Sequence, residues 1–336
     1  MNIKSILNEG ISILKKSKIP NPQLESEILL SNSIKKDKKY IILNHKEATF
    51  KKIETICINN ASKGCQLIVF PESFIPGYPR GLSFGTTIGE RTETGRQQFA
   101  DYYNHSFDLK SNDLVRLEIL CREQNIFLVI GVTEKQEVSG SLFCSMLFIS
   151  PSNGLLGVHR KLKPTGSERI IWSEGDAKDL VTFNTKIGKL GGLICWENYM
   201  PLARMSMYLK GVEIYIAPTA DSRKQWTATM QQIAMEGRCF VLGCNQYMTT
   251  ALYPDKYRKE VSHLDENFCP GGSVIVSPQG TILEGPLFNK SGVLVTELDM
   301  EDIKKNKLDF DVIGHYSRDD IFKFEVINQP EIKNNN

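Results

Sequence analysis

No segment of this 336-residue chain approaches the roughly 20 consecutive apolar residues of a membrane span. The N-terminus carries lysines but no continuous apolar core of leader length, which sets the expectation of a cytoplasmic protein. Eight cysteines occur without a single C-x-x-C pair, a pattern that argues against a disulfide framework or a zinc site and suits a reducing compartment. Without secretion, the Asn-x-Ser sequons at Asn104 and Asn289 carry no meaning. There is no P-loop and no G-x-G-x-x-G stretch, so neither a nucleotide cofactor nor any other cofactor or metal is expected. Neither sign of charge is in excess: 41 basic against 39 acidic residues exclude a general nucleic-acid or membrane surface.

The charge is nevertheless uneven. Residues 1–47 hold nine lysines against five acids, net +4, which leaves the rest of the chain at −2. Beyond that basic appendage, many apolar runs are continuous and not alternating, as in strands covered on both faces. They are Gln66–Phe70, Ile126–Val132, Leu142–Ser150, Leu155–Leu162, Leu180–Phe183, Gly192–Cys195, Val212–Ala217, Phe240–Cys244, Ser273–Val276 and Val293–Leu298. Helical periodicity falls between them, at Lys51–Ser62, Asn112–Gln124, Pro201–Lys210 and Gln225–Arg238. Ser277–Gly280 and Leu283–Pro286 read as turns of a hairpin-rich end. The pattern predicts an α/β layered sandwich.

Three strand ends carry chemistry. Leu67-Ile-Val-Phe-Pro-Glu72 ends in a carboxylate, Gly157-Val-His-Arg-Lys-Leu162 in paired cations, and Leu190–Cys195 in a thiol at a strand-to-helix corner. Layered α/β proteins collect reacting groups at such ends, and base, cation and nucleophile are the parts of covalent catalysis. Each residue also has a plain reading. Cys195 fits a small core side chain, Glu72 a solvated turn, Lys161 a surface lysine, and Glu168 a partner of Arg169 or Arg160.

Phe70-Pro-Glu-Ser-Phe-Ile-Pro-Gly-Tyr-Pro79, His159-Arg-Lys-Leu-Lys-Pro-Thr165 followed by Glu168-Arg169, and Cys195-Trp-Glu-Asn198 resemble the three signature regions of the nitrilase superfamily, most closely its true nitrilase branch. The resemblance runs from about Ala48 to about Phe322 with the motifs in order. It implies a four-layer αββα sandwich, with Glu72 as general base, Lys161 as the cationic member, Cys195 as nucleophile and Glu168 as auxiliary carboxylate. It also implies hydrolysis of an organic nitrile to acid and ammonia, and a homodimer or larger spiral with the helix after Cys195 near the contact. Trp196 supplies the N–H that follows the nucleophile. Glu197 and Asn198 read as architecture first and substrate contacts second. His159 reads as packing, and Trp172, Trp196, Tyr199 and Trp226 as core or pocket wall. Amidases and cyanide-converting relatives share the Glu, Lys and Cys; Trp-Glu-Asn after the cysteine and Pro-Thr after Lys163 favour nitriles. A reading of another class is a non-catalytic or unstable fusion product that docks on a protein through its basic helices.

The N-terminal 47 residues break the pattern. Ile3–Lys16 places Ile3, Ile6, Leu7, Ile11 and Leu14 on one helical stripe, and Leu24–Leu30 begins a second helix after Ile19-Pro-Asn-Pro22. This segment resembles the start of the helical domain of release-factor glutamine methyltransferases, without any methyltransferase motif after it. Nitrilase-family chains begin with an apolar strand, for which Tyr40-Ile-Ile-Leu43 is the one apolar run at hand. The expectation is a basic segment 1–47, a hydrolase domain 48–325 weakened at its N-terminal edge, and a polar tail 326–336.

Overall fold

A computed structural model describes residues 3–17, 38–221, 223–253 and 255–327. Alternation along the strands builds its layers. On Phe127–Lys135, Phe127 and Val129 join one apolar cluster while Leu128, Ile130 and Val132 join another. Leu142–Ser150 divides the same way, with Leu142, Cys144, Met146 and Phe148 on one side and Leu147 and Ile149 on the other. In a second sheet, Ile214 and Ile216 face the first sheet while Tyr215 and Ala217 face outward. Each strand is therefore buried on both faces, the reason their sequences read as unbroken apolar runs.

The Lys38–Ala61 and Asn112–Gln124 helices cover the outer face of the first sheet through Phe50, Ile53, Leu117 and Leu120. Pro201–Leu209 and Gln225–Gly237 cover the second through Met207, Met230 and Ile233. The result is the αββα sandwich. The first sheet runs Leu67–Val69, Phe127–Lys135, Leu142–Ser150, Gly154–Arg160, with Trp172–Ser173 also pairing to Leu142–Phe143. In the second, Ile214–Thr219 lies parallel between Gly188–Gly192 and Phe240–Asn245, flanked by Thr182–Thr185 and by Cys269–Val276.

Several boundaries depart from the sequence reading. Tyr40–Leu43 lies inside the Lys38–Ala61 helix and does not stand in as a strand. Among the described residues Leu67–Val69 pairs only with Phe127–Lys135, so its other edge has no ladder. Val293–Leu298 alternates in exposure along its length but belongs to no sheet among those residues. Leu283–Pro286, expected as a turn, sits within the Ile282–Phe288 strand. The Glu93–His105 helix was not expected; Thr92 caps it, its hydroxyl accepting from the Gly95 N–H at 3.0 Å. Ile3–Lys16 is helical as expected, whereas Leu24–Leu30 lies outside the described residues.

Candidate active site

Glu72, Lys161 and Cys195 each sit where a strand runs out toward the space between the sheets. After Leu67–Val69, the Phe70 N–H still bonds the Val129 carbonyl at 2.8 Å, and the chain then turns at Ser73 with φ 47°. Ser73 Oγ lies 2.7 Å from Thr133 Oγ1, which fixes that turn to the neighbouring strand. A Cβ at Gly131 would strike the Pro71 carbonyl, so glycine is what allows the Glu72 turn to settle on the sheet. Lys161 follows Gly154–Arg160, and its N–H donates to the Cys144 carbonyl at 2.8 Å.

Cys195 adopts φ 51°, a left-handed conformation that non-glycine residues seldom hold. The strand end that precedes it is itself tightly packed. Gly192 has φ 157°, and a Cβ there would run into the Ile216 carbonyl of the adjacent strand. Strain of this kind, of order 1–3 kcal/mol, survives where surrounding structure over-determines it, and it presents the side chain at a sharp strand-to-helix corner.

The side chains meet in a buried charged chain. Lys161 Nζ donates to Glu72 Oε1 at 2.7 Å and to Glu168 Oε2 at 2.8 Å, with Lys161 and Glu72 fully buried. Glu72 Oε2 accepts the Ala220 N–H at 2.9 Å. Glu168 is held by the Tyr78 hydroxyl at 2.6 Å and the Thr165 N–H at 2.6 Å. Thr219 Oγ1 donates to Cys195 Sγ at 3.1 Å. The ammonium has three hydrogens, and two are committed to carboxylates, leaving a third for a substrate atom.

Burial pushes the Glu72 carboxyl up, and the negative charge of Glu168 adds to this, against the opposing pull of Lys161. Burial works against the Lys161 charge, but Glu72, Cys195, Cys144 and Glu168 outweigh it and hold the ammonium well above its ordinary range. Burial also raises the Cys195 thiol, reinforced by Glu72 and opposed by Lys161. Two carboxylates against one ammonium leave a buried excess of negative charge, so the resting arrangement favours a protonated thiol beside a base of raised affinity for protons.

The residues after Cys195 divide into two kinds. The Trp196 side chain reaches outward, 41% exposed; its Nε1 donates to Asp221 Oδ2 at 3.0 Å, and the Arg223 guanidinium lies 4.5 Å from its ring centre. Glu197 and Asn198 are buried and fully engaged inside the protein, which corrects any part for their side chains in substrate contact. Glu197 accepts the Leu162 and Ile194 N–H groups at 2.7 and 2.8 Å, and Asn198 donates to the Leu193 and Cys195 carbonyls at 2.9 and 2.8 Å. Trp172 and Trp226 are core; Trp172 lies edge-on to Tyr78, 5.6 Å between ring centres, beside the Lys161 ammonium.

Tyr78, Thr219 and Ala220 were missed as parts of the site. Tyr78 was visible inside the Phe70–Pro79 motif, and Thr219 closes the Ile214–Thr219 strand, obeying the strand-end rule that singled out Glu72. Among the described residues no group of three or more His, Cys, Asp or Glu side chains is arranged to hold a metal.

Residues 41–307 match the carbon-nitrogen hydrolase family. The chain belongs to that family, in its true nitrilase branch. It is 45% identical over 289 residues to a bifunctional nitrilase/nitrile hydratase of Lupinus angustifolius, covering 84% of this chain and 82% of the relative. An aliphatic nitrilase of Sinorhizobium fredii is 44% identical, with 86% and 93% covered, and nitrilase 1 of Arabidopsis thaliana is 42% identical, with 86% and 85% covered. A nitrilase-superfamily protein of Saccharomyces cerevisiae shares the fold at a TM-score of 0.63 and 22% identity, covering 81% of this chain and 91% of that one. As a carbon-nitrogen hydrolase, the chain acts on C–N bonds. The family match begins at residue 41 and lends no support to the methyltransferase likeness of the first 47 residues.

Proposed function

We propose that this hydrolase converts an organic nitrile to the carboxylic acid and ammonia, with Cys195 as nucleophile, Glu72 as general base, Lys161 as the cation and Glu168 as the carboxylate that positions it. The observation that carries the roles is the buried Glu72–Lys161–Glu168 chain, whose charges act directly on the Cys195 thiol.

Glu72 takes the Cys195 proton as sulfur adds to the nitrile carbon, and the nitrogen is protonated to give a thioimidate. Water adds to that carbon, its proton passing to Glu72; the C–N bond then breaks and ammonia leaves, giving a thioester. A second water, deprotonated by Glu72, attacks the thioester, the C–S bond breaks, and the proton returns to sulfur as the acid departs. The Trp196 N–H and the third ammonium hydrogen of Lys161 are the donors to the tetrahedral intermediates. After the first water has added, loss of the thiolate instead of ammonia would release the amide. Relatives named as bifunctional nitrilase/nitrile hydratases favour that branch as a second outlet.

The catalytic unit spans 48–325, with 1–47 a basic N-terminal segment and 326–336 a polar tail. Eight free thiols suit a reducing cytoplasm. Among the described residues no helix is long and apolar enough to cross a membrane. Exposed Met200, Leu202 and Leu209, on and beside the helix after Cys195, fit a homodimer or larger homo-oligomer. Assaying purified protein on aliphatic, aryl and arylacetonitriles tests the activity. Acid and ammonia in equal amounts support it, and amide alone removes it.

A further inference from the structure

Glu197 lies two residues after the nucleophile, yet its carboxylate points into the protein. Its Oε1 accepts the N–H of Leu162, the residue after Lys161, at 2.7 Å. Its Oε2 accepts the N–H of Ile194, the residue before Cys195, at 2.8 Å. One side chain therefore ties the strand end that carries the lysine to the elbow that carries the thiol.

His159 completes the arrangement. Its Nε2 lies 2.9 Å from Glu197 Oε2 and its Nδ1 2.7 Å from the Asp179 carbonyl, with both side chains buried to within 1% of full cover. A carbonyl oxygen only accepts, so Nδ1 carries a proton. Each Glu197 oxygen already accepts a backbone N–H, which marks an ionised carboxylate, so Nε2 carries one as well. Two protonated nitrogens make His159 an imidazolium. Titratable groups face this pair from two neighbouring elements. Asp179 contributes from the turn at Ala177–Asp179, its carboxylate engaged by the Asp176 N–H at 2.7 Å. Tyr215 comes from the Ile214–Thr219 strand, its hydroxyl donating to Asn198 Oδ1 at 2.8 Å. Met146, opposite His159 on the neighbouring strand, is neutral, and Arg160 is paired with Glu134.

We propose that His159 and Glu197 are a buried, charged positioning pair that sets the place of Cys195 relative to Lys161. Neither touches substrate. The imidazolium keeps Glu197 oriented, and the carboxylate in turn holds both backbone segments in register. The assignment rests on Cys195 and Lys161 being the reacting groups. Glu197 lifts the His159 affinity for its proton against the opposing effect of burial, so the clamp is intact below the folded-state pKa of His159 and is released as pH rises through it.

The test compares His159→Gln and Glu197→Gln with the parent, each well below its melting temperature. The readouts are kcat and KM on a nitrile, the pH profile of kcat, and the rate at which iodoacetamide alkylates Cys195. Ile149→Val, a change in the helix-facing core on the outer face of the first sheet, serves as a control for lost stability. Both pair variants are expected to lose at least ten-fold in kcat and in alkylation rate with KM within two-fold, and His159→Gln to lose the fall in kcat that the parent shows as His159 deprotonates. Should Glu197→Gln not fold, His159→Gln decides alone, since its amide still donates to one of the two partners. Alkylation and kcat within two-fold of the parent overturn the proposal, as does an equal loss in Ile149→Val. Alkylation requires no nitrile turnover, so an absence of turnover in the parent would count against the nitrilase reading and leave this comparison standing.

Discussion

Lys161 Nζ sits 2.7 Å from Glu72 Oε1, although 89 residues separate them in the chain and neither side chain reaches solvent. An ion pair this deep is poor evidence of stability by itself, because desolvating two charges offsets much of their attraction. Its worth lies in what it does to the proton on Glu72.

Removing the lysine exposes that balance. Lys161→Met leaves Glu72 and Glu168 as unpaired carboxylates in one buried space, a loss of about 3–5 kcal/mol. Urea denaturation should show it as a lower midpoint with unchanged slope, and activity should vanish. Lys161→Arg should not restore activity, because a planar guanidinium cannot take the place of a compact ammonium between two carboxylates.

The acid limb of kcat/KM should report Glu72. Activity needs its carboxylate form, and burial together with Glu168 raises its pKa above 4.5. Glu168→Gln removes one of those raising charges, so the limb should move to lower pH, even as kcat falls through loss of a Lys161 partner. The stability sign runs the other way. The folded protein holds a proton that the unfolded chain has released, so this contribution is complete below pH 4.5 and is lost as pH rises through the folded pKa.

Two glycines should prove unreplaceable for different reasons. Gly192→Ala drives a Cβ into the Ile216 backbone at φ 157° and should cost about 3 kcal/mol of stability through overpacking. Gly131→Ala presses on Pro71 and Glu72, so kcat should fall more than melting temperature does. Thermal melts beside steady-state kinetics separate the two effects.

The edge of Leu67–Val69 that has no ladder among the described residues gives a stability prediction. Appending an apolar strand able to pair with it should raise the melting temperature by several degrees, as roughly 1–2 kcal/mol would in a chain of this size. A melt unchanged by the addition would show that this edge is already satisfied.

The candidate site was legible in the sequence because its groups lie inside short motifs, Glu72, Lys161 and Cys195 after strands and Glu168 in the Gly166–Ile170 turn. The layers were legible too, because strands covered on both faces leave unbroken apolar runs. Long-range pairing was not. Nothing local couples His159 to Glu197, 38 residues apart, and a Glu after a nucleophile suits a helix start as well as a buried clamp. The Glu93–His105 helix escaped notice because it buries little and its residues are mostly polar. Val293–Leu298 has strand alternation without a partner strand among the described residues, and a period-2 pattern cannot report whether its ladder exists.

The most direct test of the account is mass spectrometry of the protein quenched during turnover of an organic nitrile, with ammonia and acid measured in the same samples. The expected result is an acyl or imidate adduct on the Cys195 peptide, with acid and ammonia in equal amounts. In Cys195→Ala, adduct and products should both be absent, a loss on the order of 10⁴-fold or more in kcat. Nitrile turnover that persists in Cys195→Ala, or an adduct on another residue, would contradict it.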